Sequence, residues 1–193
     1  MPKYINIIPT LFRYLKSTHI SETIDWDSIV DSIELDCSPT NLVTDDMLDL
    51  RNGEDNVSFF WSHHGSDIDK ILHTLNELSV RRPEGSRFST KSGMLKIDAI
   101  EAMNSINYPK KLISFQCTDE FPSGCIHHGL FFETTDTKQL LDIRSSIVEL
   151  SDFFVIKKID KTQRELLSID NQGRSKMMGT FPEIDSKALR DTV

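Results

Sequence analysis

The sequence predicts an α+β fold: a small, mainly antiparallel sheet packed with amphipathic helices, behind a helical, acidic N-terminal part. Three observations lead there. Aromatic and apolar runs at 57–61, 111–117 and 125–133 have the composition of strands. Pro122-Ser123-Gly124 supplies a turn between the last two runs, which makes them an antiparallel hairpin. Helical spacing of apolar residues recurs over 66–78 and 136–150. The 193 residues suit one domain, 1–160, followed by a segment, 161–193, that is loosely packed or ordered by a partner.

From the N-terminus, Tyr4, Ile7, Ile8, Leu11, Phe12 and Leu15 fall at i, i+3, i+4, i+7. Pro9 fits best at a first helical position, so the spacing predicts an extended piece over 4–8 and a helix from Pro9 to about Ser17. Trp26, Ile29, Val30 and Ile33 mark a second helix, with Asp25, Asp27, Asp31 and Glu34 off its apolar stripe. Residues 38–55 read as a loop with one helical turn at 44–50 and a chain reversal at Asn52-Gly53. After the 57–61 strand, Ser66 and Asp69 form a capping box for a helix carrying Ile68, Ile71, Leu72, Leu75 and Leu78 on one face. Residues 81–93 are basic and contain Pro83, Gly85 and Gly93, the marks of an exposed loop, with a short strand at 87–89. Ile97, Ile100, Met103 and Ile106 outline a short helix that stops before Pro109. The hairpin follows, then a helix over 136–150 with Leu140, Leu141, Ile143, Ile147 and Val148 inward, then a strand at 153–156.

Composition narrows the function classes. Hydrophobic residues at 38%, charged residues at 27%, 8 glycines and 7 prolines exclude collagen-like and low-complexity chains. Three cysteines, an odd number, argue against a disulfide framework and for reduced thiols in a cytoplasmic protein. No apolar run reaches the ~18 residues of a membrane span. Pro9, Arg13 and Lys16 interrupt the layout of a signal peptide.

The charge is concentrated. Between Glu22 and Asp55 stand Glu22, Asp25, Asp27, Asp31, Glu34, Asp36, Asp45, Asp46, Asp49, Glu54 and Asp55, opposed by Arg51 alone, a net of −10. The whole chain carries −8, so the remainder is +2. Such a field repels phosphates and speeds encounter with basic surfaces. The leading reading is therefore a non-catalytic module, such as an immunity or inhibitor protein or a complex subunit. It binds a basic protein partner through Glu22, Asp25, Asp27, Asp31, Asp45, Asp46, Asp49, Glu54 and Asp55. A merely solvated acidic face is the plain alternative.

Two other readings compete. Arg81, Arg82, Arg87, Lys91 and Lys96, opposed by Glu84, form a basic stretch able to touch nucleic-acid phosphates, but no RNA-binding signature accompanies them. His63-His64-Gly65 and His127-His128-Gly129 echo one another beside Phe59-Phe60 and Phe131-Phe132, and would serve a small hydrolase, metal-dependent or not, if the pairs converged. Against that, adjacent strand residues face opposite sides, and two copies fall short of a repeat array. Cys117 or Cys125 beside His127 or His128 has nucleophile–base chemistry, although a strand cysteine ordinarily packs. Asp69 and His73 stand one helical turn apart and can pair. No phosphate-cradling glycine motif or zinc knuckle occurs, and no cofactor or metal is expected.

Overall fold

A computed structural model describes residues 10–20, 22, 24–26, 33–36, 42–50, 53–62, 65–80, 91–120 and 124–157. The strands are β1 (Thr10–Leu15), β2 (Ile33–Asp36), β3 (Val57–Trp61), β4 (Lys91–Asp98), β5 (Ile113–Glu120), β6 (Ile126–Phe132) and β7 (Ser151–Lys157). The helices are α1 (Asp67–Val80), α2 (Ala99–Ile106) and α3 (Thr137–Glu149), with 3₁₀ turns at Ser17–His19 and Asp45–Leu48. All seven strands join one sheet in the order β2-β7-β4-β1-β3-β6-β5, and every neighbouring pair is antiparallel. The α+β class is therefore as the sequence predicts. Among the described residues no helix is long and apolar enough to cross a membrane.

The sheet is sandwiched. On one face α1 lays Ile71 and Leu75 against Phe12, Met94, Phe154 and Ile156. On the other, α2, α3 and the Asp45–Leu48 turn close over Leu11, Leu15, Phe59, Leu95, Phe115 and Phe153. Strand alternation accounts for the split: Leu11 and Leu15 of β1 face the larger core while Phe12 faces α1.

Residues 10–15 are a strand and not part of a helix over 9–17. β1 lies centrally between β4 and β3, and Leu11, Phe12 and Leu15 are all fully buried. A strand covered on both faces loses the period-2 pattern, and its apolar run mimics helical spacing. Ile33 and Glu34 belong to β2, not to a helix with Trp26, which sits in a turn; Asp27, Ile29, Val30 and Asp31 lie outside the described residues. Ser92, Gly93 and Lys96 belong to β4 and not to an exposed loop. Lys96 pairs with Asp67 at 2.8 Å and Asp152 at 3.2 Å. The hydrogen bond it donates to Asp67 raises its pKa most, against the opposing effect of burial. Residues 4–8, 81–90 and 158–193, with the extended piece, the 87–89 strand and the C-terminal segment expected there, lie outside the described residues.

Elsewhere the local chemistry is as predicted. Asp69 N–H donates to Ser66 Oγ at 3.1 Å, the first half of the expected capping box of α1, while the Asp69 carboxylate accepts from the Ser66 hydroxyl at 2.5 Å in place of the Ser66 backbone N–H. The helix is rotated from the expected stripe, however: Ile68 is 48% exposed, while His73, Thr74 and Glu77 are buried beside Ile71 and Leu75. Asp98 caps α2 through the amides of Ile100 and Glu101, both at 2.9 Å. That helix buries Ala99, Ala102 and Ile106; Ile100 points outward and Ile97 belongs to β4. Asp136 caps α3 through Gln139 N–H at 2.7 Å. Its Ile143, Ile147 and Val148 are buried, whereas Leu141 is exposed.

Candidate interaction surface

The acidic segment between β1 and β3 is anchored from below. Val43, Met47 and Leu48 are buried in the larger core, and Ile20 and Val43 form an isolated antiparallel bridge. Thr44 N–H donates to the His19 carbonyl at 3.1 Å. Arg13 of β1 lies beneath the turn, where Nε and Nη2 donate to the Met47 carbonyl at 3.1 and 2.5 Å. Its Nη1 donates to the Ser58 carbonyl of β3 at 2.8 Å, and the guanidinium lies over the Phe59 ring. A carbonyl-lined setting satisfies the fork of an arginine at several points at once.

With Val43, Met47 and Leu48 turned inward, six carboxylates of the segment stand outward. Glu22, Asp25, Asp46, Asp49, Glu54 and Asp55 are exposed. Asp45 opens the 3₁₀ turn. Gly53, with φ of +86°, makes the reversal that leads into Glu54 and Asp55. Several of these carboxylates are engaged: Asp46 accepts from Thr44 Oγ1, Asp55 accepts from Asn56 at 2.6 Å, and Asp49 pairs with Arg144 of α3. The Asp49 contact ties the segment to the neighbouring helix.

Beside this segment, on the same side of the sheet, a cleft of about 410 Å³ opens between α2, α3 and the approach to β5. Gln139, Asp142, Ile143, Ser146, Glu149 and Leu150 line it from α3, all on one face of that helix by their 3–4-residue spacing. Ser105 and Ile106, the last residues of α2, and Leu112 form the opposite wall. Asn107 sets that wall: its Oδ1 accepts from the amides of Leu112 and Ile113, both at 2.8 Å, and its Nδ2 donates to the Ile113 carbonyl at 3.0 Å. The C-terminal ends of α2 and α3 thus meet at the cleft. Neither has a basic residue in its last turn, and α3 ends on Glu149. A carboxylate at the negative end of a helix costs roughly 0.3–1 kcal/mol when exposed.

Of the two histidine pairs, the second lies within the described residues. Neighbouring His127 and His128 face opposite sides of β6: His127 lies 5.2 Å from the Phe60 ring, and His128, 1% exposed, points toward the larger core. Burial pushes the His128 pKa down to about 4; the Ile126 backbone opposes this and His127 adds to it. His63 and His64 lie outside the described residues. β3 and β6 are antiparallel neighbours in which Phe59 faces His128 and Phe60 faces His127. No three metal-ligating side chains converge among the described residues.

Cys117 stands opposite His128 across the β5–β6 ladder, while buried Cys125 packs with Phe60 and Leu78. His73 bonds Ser62 (Oγ to Nδ1, 2.8 Å) and Asp69 bonds Ser66, so the expected Asp69–His73 pair is replaced by two separate contacts. Ser62 is only 1% exposed, which makes that contact a buried strut between β3 and α1. The strut is not legible in the sequence, because its partners come from different elements. Arg81, Arg82 and Arg87 lie outside the described residues, and Lys91 opens β4.

No protein-family model matches the chain, and no curated protein or solved structure is significantly similar to it.

Proposed function

We propose that the chain is a non-catalytic interaction module that engages a basic protein through the acidic segment between β1 and β3. One observation carries this reading: six acidic residues of a segment with net charge −10 stand exposed on a scaffold fixed from below by Val43, Met47 and Leu48. Where the backbone is anchored, over residues 42–50, the carboxylates it carries act on diffusional encounter from a defined position. A basic toxin held by its inhibitor, and a basic subunit of a larger complex, are the partners this chemistry fits.

The test pairs capture with kinetics. The partner is isolated from the native cell on the wild-type chain, and its association rate is measured at low and high salt. A variant carrying Glu22→Gln, Asp46→Asn, Glu54→Gln and Asp55→Asn is measured beside it. The variant should associate roughly tenfold more slowly at low salt, with the difference closing at high salt. Equal rates at low salt would remove the acidic segment from recognition.

A further inference from the structure

We infer that the cleft between α2 and α3 is an anchor site for an arginine side chain on a basic loop of the partner. The inference rests on the proposed acidic-face reading for the nature of that partner, and it adds a pocket that the charge pattern alone does not locate.

The chemistry of the walls selects the occupant. Asp142 and Glu149 stand on one face of α3, seven residues apart, or about 10.5 Å along the axis. Neither carboxylate has an ion-pair partner among the described residues, in contrast to Asp49, Asp67, Asp152 and Glu133, each held by a lysine or arginine. The helix C-terminal ends at Ile106 and Glu149 add partial negative charge, and no basic residue in either last turn offsets it. No lysine, arginine or histidine lines the cleft among the described residues. Both formal charges on the described walls are negative.

The apolar residues decide the shape of the cation. Ile106, Leu112, Ile143 and Leu150 line the space between the polar groups, a surface for an aliphatic stem. Ser146 and Gln139 on the α3 wall and Ser105 on the facing one supply oxygen acceptors, and a guanidinium carries five donors in a planar fork. About 410 Å³ exceeds one side chain and suits an arginine together with part of the loop that presents it. The cleft and the acidic turn lie on the same side of the sheet, joined by the Arg144–Asp49 contact. One partner surface can thus be steered by the segment and anchored in the cleft, the division of roles expected of charged rim and buried hot spot.

The probes are the tripeptide N-acetyl-Gly-Arg-Gly-amide and its neutral isostere with citrulline in place of arginine. Each is titrated into the full chain while backbone amide signals are followed by NMR. The arginine peptide should shift amides of α2, α3 and Leu112 saturably, with an affinity at least about fivefold above that of citrulline. The double variant Asp142→Asn, Glu149→Gln, whose altered side chains are exposed, should lose that preference with the remaining spectrum unchanged. The four-charge variant of the acidic segment should keep it. Equal response to both peptides, or shifts confined to the 42–55 segment, would overturn the anchor site. Because no protein partner enters this titration, its failure leaves the association-rate test of the acidic segment standing, and the reverse also holds.

Discussion

Arg144 of α3 pairs with Asp49, the residue that ends the 3₁₀ turn of the acidic segment, across 95 positions of sequence. The arginine side chain is only 16% exposed and its guanidinium also lies over the Phe132 ring, so it is held between a carboxylate and an aromatic face. The aspartate is 53% exposed, which keeps solvent close to the pair. Asp49 therefore counts as much in docking the segment as in its field.

Separating those two roles is the first prediction. Asp49→Asn and Arg144→Met should each destabilise the fold by about 1 kcal/mol, and the double variant should show a coupling of roughly 0.5–1 kcal/mol. Urea denaturation of the four proteins measures it. A coupling of zero would mean that the pair does not hold the segment.

Arg13 should matter more. Its donors reach the Met47 carbonyl twice and the Ser58 carbonyl once, joining β1, β3 and the 3₁₀ turn. Charge-assisted bonds in a partly buried setting are worth more than exposed ion pairs. Arg13→Ala should cost roughly 2–3 kcal/mol. Arg13→Lys should recover less than half of that, because an ammonium cannot span the two carbonyls as a fork does. Thermal unfolding of both variants checks the order; a lysine variant as stable as wild type would contradict it.

The contrast between Arg13 and the strand that carries it shows what local pattern can and cannot reveal. β3 is legible from its aromatic run although Phe59 and Phe60 are both buried, and the β5–β6 hairpin, α1 and α3 are legible from a turn residue or a cap close in sequence. β1 has no wet side: with α1 above Phe12 and the larger core below Leu11 and Leu15, its pattern imitates a helix. β4 is hidden differently, since Lys91-Ser92-Gly93 carries no strand-forming side chain and pairing with β1 and β7 supplies the order. The candidate surfaces divide along the same line. The acidic run is visible as charge, and Gln139, Asp142, Ser146 and Glu149 fall on one helical face. The second wall of the cleft, and the Arg144 partner of Asp49, come only from the tertiary fold.

Gly93 explains why β4 contains a glycine where a strand former is expected. A Cβ there would stand 2.8 Å from Phe153 Cζ, closer still to Cε2, and 3.1 Å from the Phe154 carbonyl oxygen. The Phe153 ring of neighbouring β7 occupies the space a side chain would take. Gly93→Ala should cost about 1–3 kcal/mol through overpacking, despite the better strand propensity of alanine. Calorimetric unfolding measures it, and a neutral substitution would show that the ring moves aside freely.

His128 makes the stability of the fold depend on pH in a definite window. In the unfolded chain the ring titrates near 6.5, and in the folded protein burial lowers this to about 4. Between those values the unfolded state binds more protons, so the fold is favoured above pH 6.5 and loses stability as pH falls toward 4. The full loss from this one group is roughly 3 kcal/mol. Nδ1 of the ring has no hydrogen-bond partner among the described residues, so an apolar side chain of similar bulk sacrifices no bond from that atom there. His128→Leu should therefore stay within about 1 kcal/mol of wild type above pH ~7 and lose much less stability on acidification to pH ~5, where most carboxylates are still ionised. Urea midpoints of both proteins at the two pH values decide it. Parallel acid losses in wild type and variant would place the titrating group elsewhere.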